Sequence, residues 1–233
     1  MSGNGDSLGS GERNFESARR EMVARQIRGR GITGPRVIEA LSAVPRHLFV
    51  PSELASRAYA DEPLSIGEKQ TISQPFIVGS MTDSLALDGS ERVLEIGAGS
   101  GYQAAVLSLL VREVIAVEAI PALAAAARDR LCRLGYANVR IVEGDGSMGW
   151  PDEAPYDAIL VTAAAPAVPP PVREQLANGG RLLIPLGKSE QQELVRMVRR
   201  GEQFASETLY ACRFVPLTGR YGYPGSAMRA SGA

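Results

Sequence analysis

The sequence predicts an α/β protein: a doubly wound, mostly parallel sheet, preceded by N-terminal helices and closed by antiparallel C-terminal strands. Three observations carry this reading. Between residues 92 and 187, five short apolar runs alternate with helix-like stretches across short connections, the pattern of strand–helix–strand crossovers. The first run ends in a glycine-spaced loop, LEIGAGSGY (94–102), which suits a ligand at the end of a parallel strand. Beyond Glu193 the pattern stays strand-like with no helix between the runs, so those strands pair antiparallel.

Each element follows in order. Residues 1–12 are rich in Gly, Ser, Asn and Asp and are expected to form a disordered tail. From Arg13 to Arg30, Phe15, Met22, Val23 and Ile27 fall at helical spacing, and Gly31 and Gly34-Pro35 stop that helix. Val37, Ile38, Leu41 and Val44 mark a second helix. A third opens at SQPF (73–76), with Ile77, Met81, Leu85 and Leu87 as its inner face. The expected sheet strands are RVLEIG (92–97), EVIAVE (113–118), VRIVEGD (139–145), YDAILVTAA (156–164) and RLLIPLG (181–187). Helices reach to about Leu110, over the Ala-rich 121–134, and from a proline start to Asn178. One domain is therefore expected over 13–219, divided into a helical 13–88 and a sheet-bearing 89–219, with a flexible tail over 220–233. No internal repeat is visible.

Composition removes several functions. Among 233 residues, 26 acidic and 25 basic side chains leave a net charge of −1, with no electrostatic footprint for nucleic acid or an acidic membrane. Arg19-Arg20 and Arg199-Arg200 read as a solvated helix face and a hairpin rim. Cys132 and Cys212 lie far apart without a partner at metal-ligand spacing, so both are expected as buried thiols and no metal site is expected. The single histidine, His47, leaves no room for a His-dependent triad or a zinc site and is expected as a packing or surface residue. No apolar run reaches the length of a membrane span and the first residues are polar, so a cytoplasmic location is expected.

The glycine loop narrows the cofactor. Gly97, Gly99 and Gly101 allow a tight turn and close approach of backbone N–H groups. A dinucleotide loop would space its third glycine one residue later, and Glu95 just before the loop would repel a pyrophosphate. It would attract the cationic groups of S-adenosylmethionine. Glu118, 21 residues past Gly97, is placed for ribose hydroxyls, and Asp145 for the adenine amino group, with Gly146 allowing close approach. Glu118 and Asp145 also suit ordinary strand-end caps and turn formers. The place of an Asn/Asp-Pro-Pro-Tyr element for amino-directed DNA methylation reads TAAAPAVP, and no Pro-Cys pair supplies a cytosine-attacking thiolate.

AVPRHLFVP (43–51), PLSIGEKQTISQPFIVGSMT (63–82), VLEIGAGSGYQAAVLS (93–108), GDG (144–146), YDAILVTAAA (156–165), GGRLLIPLG (179–187) and RFVPLTG (213–219) together resemble the protein-L-isoaspartate (D-aspartate) O-methyltransferases, from about residue 17 to 219. The glycine loop is shared by many methyltransferases; QTISQP and VPR-x-x-FVP are specific to this family.

The resemblance implies a Rossmann-like methyltransferase fold and a cytosolic repair enzyme. It would move a methyl group from S-adenosylmethionine to the free carboxylate of L-isoaspartyl residues in damaged proteins and peptides, releasing S-adenosylhomocysteine. The ester then closes to a succinimide that returns in part to aspartate. It further implies Ser73 as the functional hydroxyl, Ile72 and Gln74 beside the cofactor, and Thr71, Ser73, Val215, Pro216 and Leu217 along the peptide, with Phe214–Leu217 as a strand. The expected protein is a monomer. From the residues alone, Thr71, Ser73 and Gln74 also read as an N-cap cluster for the helix at Pro75. The alternative function is a related carboxyl methyltransferase acting on the aspartate of a dedicated natural-product peptide; the short stretch after residue 219 favours repair. Three residues depart from the family pattern: Lys69 where glycine is usual, Ala119 where Arg is common, and Ser147 where Trp is common.

Overall fold

The computed structural model describes residues 6–188 and 191–223. Seven strands form one sheet: β3 (Arg92–Ile96), β4 (Glu113–Glu118), β5 (Val139–Glu143), β6 (Tyr156–Val161), β7 (Leu176–Lys188), β8 (Gln191–Arg200) and β9 (Gln203–Cys212). Their order is β5-β4-β3-β6-β7-β8-β9, parallel from β5 through β7 and antiparallel thereafter. The chain first builds outward from β3 to β5 and then crosses to the other side of β3. Loops at the carboxyl ends of β3 and β6 therefore diverge, which opens a crevice there.

Both faces of the parallel strands are apolar because helices cover both. On one face Val93, Val114, Ala116, Ala158 and Leu160 pack with residues of α2 (Pro35–Ala43), α3 (Pro75–Ser84), α4 (Tyr102–Ser108) and α5 (Pro121–Arg133). On the other, Leu94, Ile96, Ile115, Val117, Ile159 and Val161 pack against Val172 of α6 (Pro170–Glu174). The alternation along each strand is the pleat expressed as two cores.

The N-terminal layer matches the expected helices in order. Helix α1 (Asp6–Met22) starts inside the segment read as a tail, and residues 1–5 lie outside those described. It continues through a π turn (Val23–Ile27) and a 3-10 turn (Arg28–Arg30) that Gly31 ends at φ +92°. Gln26 donates to the Tyr59 carbonyl, and Arg36 donates to the carbonyls of Leu87 and Leu110, tying this layer to the sheet.

Three expectations are corrected. The helix foreseen to Asn178 is only Pro170–Glu174, and β7 already begins at Leu176, where the Tyr156 N–H donates to the Gln175 carbonyl and Tyr156 pairs with Leu176 ahead of a bulge. A two-stranded hairpin, β1 (Leu64–Gly67) and β2 (Gln70–Ile72), stands where no strand was foreseen. Cys132 is exposed rather than buried, on the outer side of α5, and Cys212 is half-buried. Of the C-terminal tail, residues 224–233 lie outside those described; before them Tyr223 donates its hydroxyl to the Gly187 carbonyl and holds the chain against β7.

Among the described residues no helix is long and apolar enough to cross a membrane, and no group of three or more His, Cys, Asp or Glu could hold a metal ion.

Candidate active site

The crevice at the carboxyl ends of β3, β4 and β6 encloses about 930 Å³ of space, open solvent at its mouth included. Its floor is the loop after β3. Gly97 and Gly99 have φ of +97° and +53°, a region that side chains disfavour. Thr162 lies so close that a Cβ on Gly97 would fall 2.5 Å from its Oγ1, and that hydroxyl donates to the Gly97 carbonyl at 2.7 Å. Glycine is thus required by both conformation and space.

Gly101 acts differently. It lies at the N-cap of α4 with φ +82°, and its neighbours are Leu131 and Ala127 of α5. It is absent from the cavity lining; its role in the fold is close packing of two helices.

The two carboxylates at the floor are unlike each other. Glu118 is buried, and its oxygens accept from the Gly99 N–H at 2.7 Å and the Ile120 N–H at 3.0 Å. It therefore pins the glycine loop to the end of β4. Glu95 is also buried, but neither of its oxygens has a hydrogen-bond partner. Burial first, and the nearby Glu118 carboxylate second, push its acid well above the ordinary carboxylate range.

Asp145 is committed elsewhere. One oxygen accepts from the Ser147 N–H and hydroxyl at 2.9 and 2.7 Å, and the other from the Arg220 N–H at 2.8 Å. It does not line the cavity, whereas Gly146 does. Asp145 thus behaves as the strand-end cap that its residue type also allowed. Ser147 is fully buried, and its hydroxyl also accepts from the Tyr221 N–H at 2.9 Å. Asp145 and Ser147 together hold the chain after Leu217 against the site, a function the sequence did not disclose because the partners lie about 75 residues apart.

The roof is the polar corner. Gln70, Thr71, Ile72 and Ser73 line the cavity, while Gln74 does not and donates to the Asp61 carbonyl at 3.2 Å. Gln74 occupies the N-cap of α3 but its side chain makes no capping hydrogen bond, and the Thr71 and Ser73 hydroxyls have no partner among the described residues. The corner is therefore not an N-cap cluster. Thr71 and Ser73 line the cavity, and neither hydroxyl bonds to a described protein group.

Val215, Pro216 and Leu217 form the remaining wall. They are not a regular strand: Ala164 donates to the Val215 carbonyl and accepts from the Leu217 N–H, bracketing a single bridge at Pro216. Pro216 has no N–H with which to continue a ladder. Sequence reasoning missed Thr162, Gln103 and Ile77, which also line the cavity. Gln103 donates to Thr82 at 2.9 Å, joining α4 to α3; no motif marked it.

The protein-L-isoaspartate (D-aspartate) O-methyltransferase family profile matches residues 17–222. The chain belongs to this family. A protein-L-isoaspartate O-methyltransferase of Trichlorobacter lovleyi is 56% identical over 211 residues, 90% of this chain and 97% of that one. A solved protein-L-isoaspartate O-methyltransferase superposes with a TM-score of 0.76 at 31% identity over 84% of this chain; the match spans 65% of that longer chain. A Plasmodium falciparum structure described as a member of the same group, in complex with S-adenosyl-L-homocysteine, shares the fold with a TM-score of 0.74 at 23% identity. These likenesses agree with the Rossmann-like methyltransferase fold expected from the sequence.

The residues present fit an adenosyl-methionine cofactor. The unpartnered Glu95 carboxyl calls for a cation, Gly97 and Gly99 present bare backbone along the cavity floor, and among the described residues no Arg, Lys or His lines the cavity to repel a sulfonium.

Proposed function

We propose that the protein methylates the free carboxylate of L-isoaspartyl residues in damaged proteins and peptides, the step from which a succinimide and then aspartate follow. When bound, S-adenosylmethionine supplies an electrophilic methyl group on a sulfonium. Glu95, the Gly97–Gly99 loop, Glu118, Gly146 and Ile72 would hold it, with Gly101 and Asp145 acting through the helix packing and the turn that shape the site. Gln74 supports the corner from the Asp61 side.

The acceptor needs little activation. A carboxylate has a reference pKa near 4, so at neutral pH it is already an ionised nucleophile. The remaining tasks are alignment and exclusion of water. Ser73 donates a hydrogen bond that orients the acceptor oxygen; a neutral hydroxyl does this without pairing away the nucleophile's charge. Thr71, Val215, Pro216 and Leu217 flank the peptide. Within one catalytic domain over 13–219, the segment 13–88 acts as the substrate and lid part and 89–219 as the cofactor sheet. The enzyme works in the cytoplasm as a monomer on isoaspartyl proteins, with neither nucleic acid nor membrane as partner.

The observation that carries this reading is that Thr71 and Ser73, whose hydroxyls bond to no described protein group, line the same cavity as the glycine floor. Family membership favours general repair over a dedicated natural-product peptide. The test uses methyl-labelled S-adenosylmethionine and two peptides identical except for L-Asp or L-isoAsp at one position, with base-labile label as readout. Label confined to the isoAsp peptide is expected. Equal labelling of both, or none despite cofactor binding, would overturn the assignment.

A further inference from the structure

Glu95 is the one cavity carboxyl whose oxygens both lack a partner, and it is 0% exposed. Its counterparts are all engaged: Glu118 holds two N–H groups, Asp145 three donors, and the buried Glu91 accepts from two N–H groups and Arg181. The surroundings of Glu95 are as informative as its own geometry. Glu95 pairs with Ala116 across the sheet, so Glu118 two residues further along β4 enters the cavity from the same face. Tyr102 of α4 also lines the cavity; its ring lies 5.0 Å from the Arg46 guanidinium, and burial keeps its phenol protonated, at a pKa of about 12. From α3 come Ile77, Val78 and Met81, and from the end of β6 Thr162, none of which carries charge. With no basic side chain lining the cavity among the described residues, an ionised Glu95 would be a buried, unsolvated charge beside a second carboxylate. Such a charge costs several kcal/mol unless paired.

We infer that Glu95 is a neutral carboxylic acid in the ligand-free protein and ionises when the ammonium or sulfonium of the cofactor enters, so that cofactor binding releases a proton. The inference rests on the cofactor reading above. In this step the Glu95 O–H bond breaks, the proton passes to solvent buffer, and the carboxylate pairs with the incoming cation; nothing is oxidised or reduced. Burial and the Glu118 charge, which hold the acid above its ordinary range, favour the protonated form until that cation arrives. Glu95 then sets selectivity by charge. A ligand of the same shape without a cationic centre would leave the proton in place and gain no ion pair.

Isothermal titration calorimetry of the full chain with S-adenosylhomocysteine, which retains the ammonium, tests this at one mildly acidic pH in buffers of different ionisation enthalpy. The observed heat should vary with buffer ionisation enthalpy with a slope of about one proton released per site, and affinity should tighten by up to about tenfold per unit of rising pH below the Glu95 pKa. Glu95→Gln, which keeps the shape, should bring the slope to zero. Should that variant fail to fold, the two wild-type readouts decide alone. Normal wild-type binding with no buffer dependence would overturn the inference and leave the cofactor reading intact. No binding of S-adenosylhomocysteine in equilibrium dialysis would overturn both.

Discussion

Ser73 and Glu95 show how much chemistry a single side chain's lack of a partner can carry. A hydroxyl that caps nothing and bonds nothing inside the protein is available to a ligand at no cost in folding. If Ser73 holds the acceptor carboxylate, its removal forfeits a hydrogen bond to a charged group, worth roughly 1.5–3 kcal/mol. Ser73→Ala should therefore lower turnover roughly tenfold to a hundredfold while leaving the Kd for S-adenosylhomocysteine within about twofold of wild type. Undiminished turnover in the steady-state assay would make Ser73 a bystander. For Glu95 the sign of the pH effect follows from its raised acid. Between the unfolded value near 4.3 and the higher folded value, the native state holds more protons than the unfolded chain, so ligand-free stability falls as pH rises. Glu95→Gln should then raise the ligand-free melting temperature more at about pH 8 than at about pH 4. Equal changes at both would show that Glu95 is not the strained group. The identity of Glu95 and Glu118 as floor residues was legible from their positions at strand ends. The difference between them was not, because it depends on the Gly99 N–H, which only the folded loop delivers.

At the scale of elements, sheet strands and helices were readable wherever period and length agreed, as for β4, found over the residues EVIAVE foretold. The β1–β2 hairpin was not, and its turn explains why. Asn-Gly or Asp-Gly at the tip would announce such a turn; here the tip is Glu68-Lys69, with φ of +49° and +58°. Both residues sit in the left-handed region, where a side chain costs about 1 kcal/mol or more. Their strain lies next to the strand that carries Thr71 over the cavity, and Ile66 of β1 packs toward Gly99. Lys69→Gly relieves the tip, and after the added freedom of the unfolded chain should stabilise by about 0.5–1 kcal/mol, a rise of about 2 °C in Tm for a chain of this size. Lys69→Pro, whose ring cannot reach a positive φ, should instead destabilise and raise KM for the isoaspartyl peptide. A proline variant with unchanged Tm and KM would show that the hairpin's register is set elsewhere.

For the molecule as a whole, the cavity lies where the helical N-terminal layer meets the sheet, and single polar residues join the two parts alongside their shared apolar core. Gln103 of α4 donates to Thr82 of α3, Arg36 reaches the Leu110 carbonyl, and Arg181 of β7 reaches the Ala86 carbonyl at 3.1 Å. Composition could not announce these joints, which involve single polar residues that fit no periodic pattern. A ligand that touches roof and floor together adds a joint of its own. At a hundred times its Kd, S-adenosylhomocysteine should stabilise the protein by about 2.7 kcal/mol. The gain should also be local. Amide exchange should slow at residues 70–73 of the roof and at 97–100 of the floor, because both line one cavity. It should not change at the β8–β9 tip, around Gly201, which is remote from the cavity lining. Protection confined to the floor would mean that the hairpin does not close over the cofactor, and that the polar corner meets the peptide alone.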